Sequence, residues 1–156
     1  MSNKPLLFHT ASLNCNSLVK TNNTKKQKQF IRYLRFLNFD ILSFQETHIT
    51  SAISTFIDTQ FQSKCSVWTY HCGIISLSTN FRFSTNMISD NDRAILVKVH
   101  HTQHSILPFY ILNLYAPANS ATARKSFFNS VLSSLNNLSP GIDLTRIFIM
   151  GDFNYS

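Results

Sequence analysis

The feature that most constrains the fold is an amphipathic segment that lies between two short apolar runs near the start of the sequence. Residues 25–38 carry apolar side chains at helical spacing, and the runs at 8–14 and 41–45 have the length and composition of buried strands. Asn23 or Thr24 stands where a helix N-cap is expected. A helix that connects two neighbouring strands makes them parallel. The sequence therefore predicts a β-α-β unit.

A second unit of the same kind is predicted near the end of the sequence. An apolar strand at 109–114 precedes an amphipathic helix at 121–138, and a Pro-Gly pair ends that helix before a last apolar strand at 146–150. Between the two units the pattern predicts a short helix at 51–61 and a meander of short strands at 66–70, 73–79 and 94–100. Strand–helix alternation at both ends with a meander between them is typical of an α/β fold with a mixed sheet.

The composition is that of one globular domain with a sizeable core. The chain has 156 residues, 44% of them hydrophobic and 14 of them Phe. Four aromatic residues recur every three positions in and after the first predicted helix, and we predict that they belong to the core and do not form a base-stacking platform. They are Phe30, Tyr33, Phe36 and Phe39.

The charge distribution favours a polyanionic partner. The net charge is +7, and no acidic residue precedes Asp40, whereas basic residues cluster in the first predicted helix. Such a surface binds phosphates with release of counterions, so Lys25, Lys28 and Arg32 are candidate nucleic-acid contacts. A solvated helix face explains the same cluster equally well.

The start of the sequence lacks the apolar run of a signal peptide, and no apolar stretch approaches the length of a membrane span. The three cysteines are at no metal-ligand spacing. We therefore expect a protein inside the cell, with reduced thiols, neither secreted nor bound to a membrane. Nothing in the sequence indicates an obligate protein partner.

Polar side chains follow four of the predicted strands. Asn14, Glu46, Tyr115 and the pair Asp152 and Asn154 each stand directly at or after a strand's carboxyl end. In α/β sheets this edge binds ligands, and carboxylate and amide oxygens suit Mg²⁺. Asp and Asn are also common turn formers, so each residue taken alone has a structural explanation.

Four short motifs in a fixed order carry a family resemblance. They are Leu13-Asn14-Cys15-Asn16-Ser17-Leu18, Phe44-Gln45-Glu46-Thr47-His48, Asn113-Leu114-Tyr115-Ala116-Pro117 and Ile149-Met150-Gly151-Asp152-Phe153-Asn154. The series resembles the endonuclease/exonuclease/phosphatase superfamily of DNase I-like enzymes. The amino-acid sequences of its motifs are most similar to those of the endonuclease domains of non-LTR retrotransposons. The resemblance spans nearly the whole chain.

The resemblance implies a DNase I-like α/β sandwich with mixed sheets, a Mg²⁺ cofactor (Mn²⁺ being possible), a DNA substrate and, for a retrotransposon product, a nuclear location. Glu46 would be the principal metal ligand, assisted by Asn14. Asp152 would orient or deprotonate the attacking water. Asn154 would hold the scissile phosphate, and Tyr115 would bond to that phosphate or to the leaving group.

Two departures from the family pattern qualify this expectation. Ser17 stands where many relatives have Gly, and nothing after Asn154 supplies the family's Ser-Asp-His-like motif. We therefore expect residues 1–156 to be about the first half of the domain, with little or no turnover and with one apolar sheet face left uncovered. Two alternatives stay open. One is a relative acting on inositol phosphates or sphingomyelin, and the other is a non-enzymatic product of a degenerate element that binds DNA weakly.

Overall fold

The computed structural model describes residues 7–89 and 91–155. In chain order the helices and strands are β1 (Thr10–Asn14), α1 (Thr24–Phe36), β2 (Ile41–Gln45), α2 (Ser51–Phe61), β3 (Cys65–Trp68), β4 (Cys72–Ser76), β5 (Phe81–Ile88), β6 (Ala94–His101), β7 (Phe109–Tyr115), α3 (Ala121–Leu138) and β8 (Ile147–Asp152). Two short 3₁₀ turns, Ser139–Gly141 and Leu144–Arg146, lie between α3 and β8.

The strands form two four-stranded sheets, ordered β1-β2-β4-β3 and β5-β6-β7-β8. The β1–β2 and β7–β8 pairs are parallel, and the other neighbours are antiparallel. The parallel pairs are those that α1 and α3 connect, so both predicted β-α-β units are confirmed.

The sheets pack face to face, and the helices cover their outer faces. Cys72 and Ile74 of the first sheet meet Val97 and Ile111 of the second in a fully buried core. Helices α1 and α2 pack on the outer face of the first sheet, and α3 packs on the outer face of the second through Phe127 and other apolar residues. This four-layer arrangement is the α/β sandwich with mixed sheets that the family resemblance implied.

The expectation of an uncovered apolar sheet face is wrong. The inner faces of the two sheets pack against each other and so are covered. Strands β4, β6 and β7 are apolar on both faces, which lets each of them contribute to this shared core. Apolar exposure occurs instead at the edge strand β8, where Phe148 is 47% and Ile149 is 56% exposed.

The predicted aromatic core stripe on α1 is also wrong in part. Tyr33 is 58% and Phe36 80% exposed, whereas Ile31 and Leu34 make the buried contacts of this helix. Asn23 caps α1, as its Oδ1 atom accepts a hydrogen bond from the backbone N–H of Lys26 at 2.9 Å. No helix in the described part of the chain is long and apolar enough to cross a membrane.

Strand β5 was missing from the sequence-based prediction. It lies at an edge of the second sheet, and most of its side chains are exposed or half-buried, with only Phe81 buried. An edge strand of this kind needs no continuous apolar run, so its polar residues resemble those of a loop.

A buried polar cluster joins the two sheets beneath the candidate site. Asn113 of β7 is fully buried, and its Nδ2 atom donates to the carbonyl oxygens of Phe44 and Gly73, each at 2.9 Å. Its Oδ1 atom accepts from Gln45 Nε2 at 2.6 Å, and the same Nε2 also donates to Ser12 Oγ at 3.0 Å. Every polar atom of the Asn113 amide is thereby satisfied across the sandwich.

We expect Asn113→Ala to lower the free energy of unfolding by roughly 2–4 kcal/mol, since it leaves buried donors and acceptors without partners. Urea denaturation followed by circular dichroism measures this loss. The matched control is Asn137→Ala on the exposed side of α3, for which a change below about 0.5 kcal/mol is expected. Equal effects of the two substitutions would contradict the role given to the cluster.

Candidate active site

The sheet registers bring four strand ends to one edge of the sandwich. In the first sheet Asn14 pairs with Gln45, the residue before Glu46. In the second sheet Tyr115 pairs with Asp152. The predicted residues of the metal and catalytic set therefore lie together, on strands that are fixed by ladders and by the core beneath them.

The side chain of Asn14 links the two carboxylates. Its Nδ2 atom donates to Glu46 Oε1 at 3.1 Å and to Asp152 Oδ2 at 2.8 Å. Its Oδ1 atom accepts from the backbone N–H of Asn16 at 3.0 Å. A donor group thus occupies the space between two acceptor-only carboxylates, which is the position that a cation would favour.

Tyr115 is the second partner of Glu46. Its hydroxyl donates to Glu46 Oε1 at 2.7 Å. The guanidinium of Arg93 lies over the Tyr115 ring, with its Cζ atom 4.7 Å from the ring centroid, and Arg93 also donates to the Tyr115 carbonyl oxygen at 3.3 Å. Arg93 therefore fixes the ring that holds the carboxylate.

These contacts shift the acidities of both groups. The hydrogen bond from Tyr115, followed by that from Asn14, lowers the pKa of Glu46, and the nearby charge of Asp152 opposes this effect. Burial, followed by the hydrogen bond to Glu46, raises the pKa of Tyr115 to about 12. At neutral pH, Glu46 is ionised and Tyr115 keeps its proton as a hydrogen-bond donor.

We expect Tyr115→Phe to raise the pKa of Glu46, because the substitution removes the contact that most stabilises the charged carboxylate. Since the folded-state pKa lies below the ordinary value of 4.5, this contact stabilises the fold above pH 4.5 and the contribution is lost as the pH falls through the lowered pKa. Glu46 is the only Glu in the sequence, so selective ¹³C-glutamate labelling gives one NMR resonance to titrate. An unchanged titration in Tyr115→Phe, or an equal shift in the exposed control Tyr33→Phe, would contradict the assignment.

The loop after β8 positions Asp152 and Asn154. The backbone N–H of Asn154 donates to Asp152 Oδ1 at 3.0 Å, and its side-chain Nδ2 donates to the Ala116 carbonyl oxygen at 2.6 Å. Asn154 has a φ of 49°, and Gly151 before it has a φ of 144°. A glycine is needed there, because an added Cβ would overlap the backbone of Leu114.

Two adjoining loops hold Glu46 in an unusual conformation. Glu46 has a φ of 54°, and its carbonyl oxygen accepts from the backbone N–H of Ser17 at 2.8 Å. Ser17 itself has a φ of 65°, in the left-handed region that glycine favours. A glycine would adopt this backbone conformation without strain, and Ser17 retains it without contributing to the carboxylate cluster. Such outliers concentrate at functional sites.

The donor set fits a magnesium ion. Mg²⁺ keeps several waters and is usually bound by one or two carboxylates together with substrate phosphates. Glu46 and Asp152 supply two carboxylates of like charge whose mutual repulsion a cation would relieve. A group of three or more His, Cys, Asp or Glu residues is not found in the described part of the chain.

Not every predicted site residue lies at this cluster. Lys25, Lys28 and Arg32 are exposed on α1 and make no contact with the carboxylates. Lys28 and Arg32 line a shallow cavity of about 250 Å³ beside Gln60 of α2. Sequence reasoning missed Arg93, which no motif marks, since its contact with Tyr115 arises only from the antiparallel pairing of β6 with β7.

Comparison with solved structures shows that the chain shares its fold with several proteins, one of them from the endonuclease/exonuclease/phosphatase family. The structure of D. rerio TDP2 complexed with single-strand DNA product matches with a TM-score of 0.69 and 17% identity, over 96% of this chain and 61% of that chain. An endonuclease/exonuclease/phosphatase family protein from Bacteroides thetaiotaomicron matches with a TM-score of 0.69 and 14% identity, over 94% and 63%.

A mannosyl-6-phosphatase from Bacteroides thetaiotaomicron VPI-5482 also matches, with a TM-score of 0.66 and 15% identity, over 95% of this chain and 66% of that chain. The chain thus spans about three fifths to two thirds of the length of these three structures. No family model and no curated protein sequence matches the chain.

Proposed function

We propose that this chain is part of a magnesium-dependent phosphodiesterase, most specifically a DNA endonuclease of the retrotransposon type. The observation that carries the proposal is the cluster in which Asn14 joins Glu46 to Asp152 while Tyr115 donates to Glu46. The superfamily fold supports the same chemistry. The names of two of its neighbours, a mannosyl-6-phosphatase and a TDP2 complexed with single-strand DNA product, agree with phosphate-ester or nucleic-acid substrates.

Each side chain has a role in this proposal. Glu46 would hold the Mg²⁺ (or Mn²⁺), and Asn14 would join it after its amide turns its oxygen towards the ion. The bound ion would supply a Lewis acid for the phosphoryl oxygens. Asp152 accepts a proton from, or orients, the attacking water. Asn154 has a second side-chain N–H available for a phosphate oxygen.

Tyr115 completes the set as a donor near the leaving group. Its raised pKa, about 12, keeps the hydroxyl protonated at neutral pH. In the ground state the Tyr115 hydroxyl donates its hydrogen bond to Glu46. During the reaction the same hydroxyl can donate to the negative charge that develops on the leaving group. Arg93 acts through Tyr115 and is a positioning residue.

Nucleic acid is favoured over smaller esters by charge. The net charge is +7, and α1 presents Lys25, Lys28 and Arg32 to solvent, where they would contact phosphates away from the scissile bond. The four motif sequences support a retrotransposon origin and, with it, a nuclear site of action.

We expect slow turnover by the 156-residue chain itself. In the described part of the chain the hydrogen-bond partners of the two carboxylates are Asn14, Tyr115 and the backbone of Asn154. No cationic side chain is among them, so charge on the transferring phosphoryl group has few stabilising donors. We propose that residues 1–156 are about the first half of the catalytic domain.

The test offers supercoiled plasmid, an inositol polyphosphate and sphingomyelin to an excess of the chain, with Mg²⁺ or with EDTA. The proposal expects slow nicking of the plasmid alone, only with Mg²⁺, and its loss in Glu46→Ala. Hydrolysis of either other substrate in preference to DNA would replace the endonuclease assignment. Complete absence of Mg²⁺-dependent hydrolysis of all three would favour the non-enzymatic alternative.

A further inference from the structure

A row of aromatic and imidazole rings leads from the carboxylates to the protein surface. The ring centroid of His71 lies 5.8 Å from that of Tyr115, and Tyr70 contacts His71 edge-on at 5.1 Å. Tyr70 then stacks on His48, with centroids 5.2 Å apart and 29° between the ring planes. Within this row Tyr70 reaches solvent, since 45% of its surface is exposed.

The turn that carries Tyr70 is fastened to the loop that carries Glu46. The backbone N–H of His48 donates to the Tyr70 carbonyl oxygen at 2.8 Å. The buried hydroxyl of Thr47 lies 3.0 Å from the carbonyl oxygens of both Thr69 and Tyr70. The exposed ring is thus held in place before a ligand arrives, which lowers the entropic cost of binding.

We propose that Tyr70, backed by His48, is a stacking subsite for one unpaired nucleobase beside the scissile phosphate. The inference rests on the proposed function and narrows its substrate to single-stranded or locally opened nucleic acid. An aromatic ring exposed to solvent stacks on any base whose face is free. Bases inside a duplex are already covered on both faces, and an inositol phosphate has no planar ring to stack.

Positive groups near the row suit the backbone of such a strand. The Arg93 guanidinium lies over Tyr115 at the inner end of the row. The Lys20 ammonium donates to the Asn16 carbonyl oxygen at 2.6 Å, in the loop whose Ser17 N–H bonds to the Glu46 carbonyl oxygen. Both cations lie on segments that contact Tyr115 or Glu46, so they favour a polyanionic strand at this edge of the sandwich.

The test measures fluorescence anisotropy in EDTA, so that no strand is cleaved. Two labelled probes of equal length are compared, a thymidine oligonucleotide and the same backbone with abasic spacers. We expect the unaltered chain to bind the thymidine strand about tenfold more tightly than the abasic one. Tyr70→Ala should abolish this preference, and Tyr70→Phe should keep it.

Phe56→Ala is the matched control, because Phe56 is an aromatic residue of α2 that is 55% exposed. It should leave the preference unchanged, and unchanged thermal unfolding of Tyr70→Ala would exclude a general loss of structure. Equal affinity of the unaltered chain for both probes, or a base preference that survives in Tyr70→Ala, would overturn the subsite. Either of these results beside intact plasmid nicking would remove only the stacking subsite. Failure of nicking alone would instead remove the endonuclease assignment.

Discussion

Gly151→Ala is expected to lower the free energy of unfolding by about 3 kcal/mol or more. This is one of the largest losses of stability that we expect from adding a single methyl group to this chain. Gly151 pairs with Leu114 in the parallel β7–β8 ladder and has a φ of 144°. An added Cβ would overlap the Leu114 backbone, so β8 would have to move away and carry Asp152 out of the site.

Urea denaturation measures this loss, and Gly141→Ala is the matched control. Gly141 lies in the 3₁₀ turn after α3, and an added Cβ there meets no atom within 4 Å. A change of less than about 0.5 kcal/mol is expected for the control. Equal stabilities of the two variants would mean that β8 tolerates a side chain at Gly151, contrary to the register described for this strand.

Asp152→Asn is expected to lower the rate of Mg²⁺-dependent phosphodiester cleavage by about a hundredfold or more. The substitution preserves shape but removes the carboxylate that orients the attacking water or accepts its proton. It also places an amide opposite the Asn14 amide nitrogen, where a carboxylate oxygen now accepts at 2.8 Å. Single-turnover cleavage of a labelled oligonucleotide measures the rate.

Asp143→Asn provides the matched control for charge. Asp143 is fully exposed and caps the turn Leu144–Arg146, a role that Asn also fills. Its substitution should leave the cleavage rate within about twofold of the original, since it removes the same charge far from the reacting phosphate. A similar loss in both variants would indicate that net charge, not the Asp152 carboxylate, governs the reaction.

Much of the fold could be predicted because the spacing of apolar residues along the sequence agrees with the side chains that each helix and strand buries. Helices α2 and α3 begin and end where the periodicity placed them, and β2 matches the apolar run at 41–45. The α1 stripe failed because Tyr33 and Phe36 turn towards solvent, and three-residue spacing drifts around a helix of 3.6 residues per turn.

The sequence predicted which residues form the candidate site, but it did not predict the contacts between their side chains. Strand ends and motif order placed Asn14, Glu46, Tyr115 and Asp152 at one edge of the sandwich. The sequence could not indicate that the Asn14 amide bridges both carboxylates, or that Arg93 lies over Tyr115. These contacts depend on how the two sheets face each other, and no local signal encodes that.

The central claim is that Glu46, assisted by Asn14, holds one divalent cation beside the Asp152 carboxylate. Titration with Mn²⁺ tests it directly, because the paramagnetic ion broadens NMR signals near its site. We predict that the side-chain amide of Asn14 and the ring of Tyr115 broaden first, and that Glu46→Gln requires about tenfold more Mn²⁺ for the same effect. Equal broadening in Glu46→Gln, or broadening that begins elsewhere on the surface, would contradict the account.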